Sequence, residues 1–239
     1  MRTPADVLAD LLRSDPARPR VTFYEDTPGP TAGERIELSG KVLANWVNKA
    51  ANALQEELDV APGSSVRLAL PPHWRALYWA LAVWSVGACV CLDEDEADVT
   101  VTDSPDLAAQ SAGTAVLTTL AALARSAPGG APADVIDEAR ELATFGDQFS
   151  AWESPAATDP ALRVDGRHTA YDSVVPQRDW PEGTRLHTRS DDLEQVLLDA
   201  LAAWAVDGSV VLSRGPEPEG PAQDRLRERL DAEGVSLQR

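Results

Sequence analysis

The sequence predicts an α/β fold with largely parallel sheets flanked by helices. Three observations carry that expectation. Short apolar strand-like runs alternate with helical runs between residues 34 and 102. The helix-then-strand order returns between 191 and 213. Such alternation is the pattern of crossover connections between parallel strands. The chain of 239 residues is 44% hydrophobic and 25% charged, so it can bury a sizeable core.

Val7, Leu8, Leu11 and Leu12 lie at helical spacing and predict a short helix over 4–13. Residues 21–25 and 34–38 read as two strands around the turn cluster Thr27-Pro28-Gly29-Pro30, giving a hairpin. Ser39 is then a good N-cap, because its hydroxyl can accept an orphan backbone N–H. Leu43, Trp46, Val47, Ala50, Leu54 and Leu58 define one apolar face of a helix over 41–57. After Pro62-Gly63, residues 65–70 read as a strand, and Pro71-Pro72 opens a helix that runs through Ser85. That helix carries Trp74, Leu77, Tyr78, Leu81 and Trp84 on one face and Trp79 and Val83 on another, so it should be buried on most sides. Strands follow at 88–92 and 98–102.

The middle of the chain is less regular. Residues 115–118 suggest a strand, 126–133 a loop, 134–143 a helix, and 162–164 a short strand ending in Asp165-Gly166. A strong helix over 191–206 follows, with Asp191 and Glu194 at capping-box-like spacing and Ser190 as an alternative cap. A strand at 209–213, a polar turn at 216–221, a surface helix over 222–233 and a strand beginning at 235 complete the chain.

The net charge is −18, and only Lys41 and Lys49 among the 21 basic residues are lysines. Nucleic-acid binding depends on neutralising phosphates, so DNA and RNA are not expected partners, and neither is an anionic membrane. The start shows no basic stretch followed by an apolar run, and no window approaches the ~18 unbroken apolar residues of a membrane span. Cys89 and Cys91 do not suggest a disulfide framework and read as buried structural thiols. A cytoplasmic location is the resulting expectation.

Common catalytic patterns are missing. Gly40-Lys41 is preceded by Arg35 rather than the first glycine of a phosphate-binding loop and followed by Val42, so it reads as a helix start. There is no G-x-G-x-x-G, H-E-x-x-H or G-x-S-x-G. His73, His168 and His187 are far apart in sequence, and no metal ligands are assigned. His168 beside Tyr171 and Asp172 could imitate an acid/base cluster, but such residues are ordinary after a Gly166 turn. The run Asp93-Glu94-Asp95-Glu96 reads as a solvated acidic loop.

Residues 36–92 resemble the opening of the adenylate-forming (AMP-binding, acyl-CoA synthetase-like) superfamily. The resemblance rests on the helix ending in Ala50 to Leu54, on Val60-Ala61-Pro62-Gly63-Ser64-Ser65-Val66, and on the helix ending in Gly87-Ala88. Leu193 to Leu212 resembles a later family helix that runs into Gly208-Ser209-Val210-Val211-Leu212. The whole chain also resembles a small actinobacterial family with local similarity to AMP-binding enzymes.

The resemblance implies a reduced version of the superfamily's N-terminal domain. It is expected to be one domain of two lobes, 1–58 with 186–239 and 60–180. It also implies a Gly-rich, lysine-terminated loop contacting ATP phosphates. The comparable stretch here, 159–175, has one glycine and no lysine. A backbone cradle for phosphate needs small, permissive residues. The sequence is further expected to stop before the family's ribose-binding aspartate and catalytic lysine. No catalytic, cofactor-binding or metal residue carries over, no cofactor is expected, and adenylation activity is not expected. The leading expectation is a non-catalytic protein that binds a protein partner or a small molecule. The alternative is an enzyme of altered chemistry in the inter-lobe cleft, acting on a small acyl or phosphate-bearing substrate. Arg163, Arg167 and His168 would then lie near the remodelled loop, where arginines could hold an oxyanion.

Overall fold

A computed structural model describes residues 2–93 and 97–239. The chain opens with helix α1 (Pro4–Ser14), strands β1 (Pro19–Glu25) and β2 (Arg35–Ser39), and helix α2 (Gly40–Asn52). Then come β3 (Ser65–Ala69), α3 (Trp74–Val86), β4 (Cys89–Cys91), β5 (Val99–Thr102), α4 (Pro105–Gln110), β6 (Thr114–Leu117), β7 (Val135–Asp137) and α5 (Glu138–Glu141). The remainder is β8 (Pro160–Val164), β9 (Arg167–Ala170), β10 (Arg185–Thr188), α6 (Leu193–Ala205), β11 (Ser209–Arg214), α7 (Pro221–Ala232) and β12 (Leu237–Gln238).

Two sheets result. A five-stranded sheet has the order β12-β10-β11-β1-β2, and a seven-stranded sheet the order β7-β6-β5-β3-β4-β8-β9. Pairing is parallel except at the two edge hairpins, β1–β2 and β8–β9. The mixed, mostly parallel architecture is the one the alternating pattern predicts.

The α3 helix is buried nearly all round, from Trp74 to Val86. It packs against α1, α2 and α6 as well as β3 and β1, which explains its lack of a polar face. Ser39 caps α2 by accepting from the Val42 N–H. Thr3 and Asp6 form a reciprocal capping box at α1.

Several local expectations are corrected. The single helix over 41–57 is α-helical only to Asn52 and finishes in a π turn, Ala53–Glu57. The helix expected over 134–143 begins instead as strand β7, because Val135 and Ile136 pair with Ala115 and Val116. Only one turn of α-helix and one of 3₁₀ helix follow. The helix after Pro71-Pro72 starts at Trp74, with the His73 side chain as its cap. Neither Asp191 nor Ser190 caps α6, since Asp192 accepts from the Gln195 N–H. Glu94 to Glu96 of the acidic run lie outside the described residues. Cys89 and Cys91 are both buried on β4.

Candidate functional site

Ligands of open α/β sheets sit outside the carboxyl ends of parallel strands, where successive connections leave on opposite faces. In the seven-stranded sheet that point falls between β3 and β5. β3 crosses through α3 to β4, and β5 crosses the other way through α4 to β6. Right-handed crossovers in opposite directions place α3 and α4 on opposite faces. His73 and Arg75 follow β3, Asp103 follows β5, and Thr118 and Thr119 follow β6. The five-stranded sheet brings Phe23, Glu25 and Arg214 to the same crevice. Phe23 meets the His73 ring edge-on at 4.3 Å, and the Arg214 charge reaches both His73 and Asp103.

Its own side chains fill much of this crevice and leave a cavity of ≈ 160 Å³ beside Asp103, Thr118 and Thr119. Arg75 is 3% exposed and Glu138 is 2% exposed, and they pair at 3.1 Å. Arg75 also donates to the Ala121 carbonyl at 3.2 Å and lies 4.4 Å from the Trp74 ring centre. Glu34 accepts from the Ala122 N–H at 3.3 Å, so the loop after β6 is pinned from both sheets. Glu25 is buried, accepts from Arg214 at 2.8 Å and from the Thr27 N–H at 2.9 Å.

Burial pushes the Glu138 carboxyl up to about 7, outweighing the pull of Arg75 and the Thr119 backbone. Burial, then the Arg75 and Arg214 charges, holds His73 well below its ordinary range. Its Nδ1 accepts from the Arg75 N–H at 3.3 Å, so it serves as a neutral helix cap. Among the described residues no group of three or more His, Cys, Asp or Glu side chains could hold a metal ion.

One further pair has no signature in the sequence. His187 Nε2 lies 3.1 Å from the Ser213 hydroxyl, on neighbouring strands β10 and β11. That geometry imitates a nucleophile and its base. Both residues are buried, however, and the pair lies beside positive charge. Burial, then Arg189 and Arg229, lowers His187 to about 4. A catalytic base must become imidazolium in the transition state, and these arginines oppose that charge. The pair is therefore structural, and it gives a pH signature. Neutral His187 contributes stability that is complete above its unfolded value near 6.5 and is lost as pH falls toward 4. His187→Gln is expected to flatten the fall in urea-unfolding free energy between pH 6.5 and 4. An unchanged slope would refute the assignment.

Of the residues singled out around the remodelled loop, Arg163 and His168 are brought side by side, while Arg167, Tyr171 and Asp172 are not gathered with them. Arg163 on β8 stands opposite His168 on β9, in the edge hairpin. Arg167 is exposed and contacts Glu194 at 3.4 Å. His168 and Asp172 are exposed. Tyr171 is turned inward and donates to the Ala88 carbonyl at 2.8 Å. The residues after the Gly166 turn thus form a strand, because Leu162 and Val164 supply a partner ladder. Asp165 and Gly166 both have positive φ, 50° and 70°, and form a two-residue hairpin turn of the I′ kind.

No family model matches the sequence. A Mycobacterium tuberculosis (strain ATCC 25618 / H37Rv) protein described as a TIGR03089 family protein is 34% identical over 232 positions, covering 89% of each chain. The chain belongs to the TIGR03089 family.

This TIGR03089 family member has an AMP-binding-like fold. It is similar to an acetoacetyl-CoA synthetase from Streptomyces lividans, with TM-score 0.73 and 18% identity over 99% of this chain and 42% of that one. It is also similar to a Brucella canis acyl-CoA synthetase, with TM-score 0.71 and 13% identity over 98% and 46%. The N-terminal domain of Mycobacterium tuberculosis FACL13 matches with TM-score 0.67 and 16% identity over 100% and 62%. The chain spans less than half the length of the first two of these structures, 42% and 46%. At such identities the likeness speaks for fold, and function must be argued from the site.

Proposed function

We propose that this TIGR03089 family chain is a non-catalytic binding or interaction protein derived from an adenylate-forming ancestor. In this reading it is one reduced domain with lobes 1–58 plus 186–239 and 60–180, working in the cytoplasm. The Asp165-Gly166 turn carries the proposal. It occupies the stretch where the superfamily resemblance implies a glycine-rich phosphate loop. A two-residue turn presents too few backbone N–H groups to surround a phosphate. The crevice supports the same reading. Arg75 and Arg214 are each paired with a buried glutamate and the space left is ≈ 160 Å³, which favours a protein partner over a nucleotide lodged between the sheets.

The test is isothermal titration with ATP, AMP and an acyl-adenylate analogue, together with pyrophosphate exchange over a broad panel of acids. All are expected to be silent. Robust exchange with any acid would overturn the proposal.

A further inference from the structure

The face of the five-stranded sheet beneath α7 is polar apart from the buried Val211 at its centre. Thr22, Tyr24 and Asp26 alternate along β1 and its extension, Arg185, His187 and Arg189 along β10, and Ser209 and Ser213 along β11. Their neighbours Val21, Phe23, Leu186, Val210 and Leu212 belong to the hydrophobic core. Successive side chains of a strand point to opposite faces, so the polar set faces away from the crevice.

Charge holds α7 on this polar face. Arg229 grips Asp26 through two contacts, at 2.9 and 3.0 Å, and its guanidinium lies 4.3 Å from the Tyr24 ring centre. Glu233, just past the helix, accepts from Arg35 at 2.8 Å and also from Arg185 and Tyr24. Leu230 supplies the buried apolar contact.

A groove remains between the first half of α7, the 215–220 loop and the ends of β1 and β10. One chamber, of ≈ 300 Å³, is lined by Asp26, Arg189, Glu217, Glu219, Arg225 and Arg229, with apolar residues between them. A second, of ≈ 380 Å³, adjoins it at Arg189, Glu217 and Leu226 and reaches His187 and Arg239. The place is also a switch point. β10 crosses through α6 to β11, and β11 crosses back through α7 to β12.

The charges in the first chamber are incompletely matched. Arg189 and Arg229 share the single carboxylate of Asp26. Arg225 stands one helical turn before Arg229. Among the described residues, Arg225, Glu217 and Glu219 make no ion pair, although they line one space. A bare oxyanion entering here meets both glutamates and the field of a chain of net charge −18. A bare amine meets three arginines. A molecule carrying both signs meets complementary charge at each end and no net repulsion.

We propose that this groove binds a small zwitterion, with an ammonium group and a carboxylate, sulfonate or phosphate group a few bonds apart. The oxyanion lies against Arg225 and Arg189, and the ammonium against Glu217 and Glu219. The site is separate from the crevice and does not depend on whether the chain is catalytic.

The test uses the full chain and isothermal titration with β-alanine, taurine and phosphoethanolamine, which present the three oxyanions. Propionate and propylamine each carry one charge. At least one zwitterion is expected to bind saturably, about tenfold or more tighter than either control. Arg225→Ala and Glu217→Gln are each expected to weaken that binding by about tenfold, through loss of one charge-assisted contact. Both side chains are at the surface, so thermal unfolding of the variants should match the parent. No saturable binding by any zwitterion would overturn the proposal. Equal binding by propionate or propylamine would overturn it too, as would binding indifferent to both substitutions.

Discussion

Replacing Arg75 by methionine is expected to destabilise the fold by about 3–5 kcal/mol, read as the urea-unfolding free energy at pH 8. Arg75 and Glu138 sit nine-tenths or more buried, 3.1 Å apart, under the loop after β6. Losing the arginine strands a carboxylate in the interior and removes the donor to the Ala121 carbonyl. Methionine fills most of the arginine stem's volume, so the loss reports charge more than packing. The double substitution Arg75→Met with Glu138→Met is expected to recover most of the loss, because no unpaired charge remains. A double variant as unstable as the single one would show that packing, not charge, holds this corner.

The same pair makes stability depend on pH in a calculable direction. Glu138 titrates near 4.5 when unfolded and is pushed up to about 7 in the fold. Between those values the folded state holds a proton that the unfolded state has released. Its contribution to stability therefore declines as pH rises from 4.5 to 7 and is level above that. Glu138→Gln should remove this decline. In Arg75→Met the carboxyl can stay protonated at pH 5, so that variant should be less impaired there than at pH 8.

Most helices and strands were legible because their signals are local. Leu43, Val47, Ala50 and Leu54 recur on one helical face, and all four are buried. The region at 134–143 departs from its expected helix for the opposite reason. Its strand exists only because β6 offers a ladder, and a pairing across 20 residues has no local signature. Asp134 also adopts a positive φ of 63°, which stops a helix from starting there. The sites were less legible still. Arg75 joins Glu138 over 63 residues, and Glu25 joins Arg214 over 189. The groove under α7 needs β1, β10 and α7 at once. The sequence displays arginines and glutamates there, but only the sheet order says which of them share a space. The loop at 159–175 differs, since its poverty in glycine could be read directly and the observed hairpin turn follows from Asp165-Gly166.

Gly208→Ala is expected to cost about 3 kcal/mol, the upper end of what overpacking usually does, in the same urea measurement. Gly208 joins α6 to β11. A methyl group there would stand 2.1 Å from the Thr184 carbonyl oxygen and 2.6 Å from that of Ala203. Both are backbone atoms, so no rotamer change relieves the clash. Thr184 O also accepts from the Ser209 N–H at 2.9 Å, and Ala203 O from the Gly208 N–H at 2.8 Å. Moving either carbonyl disturbs the start of the β10–β11 ladder or the end of α6. Arg20 is fully buried against the same corner and donates to the Asp207 and Gly208 carbonyls at 2.7 and 3.1 Å. Gly130→Ala is the control. It has a positive φ of 84° and open space around it, so it isolates backbone strain, about 1 kcal/mol. A Gly208 variant no worse than the Gly130 variant would refute the steric argument. A larger loss would mean that Gly208 in Gly208-Ser209-Val210-Val211-Leu212 is required by the close approach of two carbonyls, a demand of the fold that is present with or without any chemistry at the strand ends.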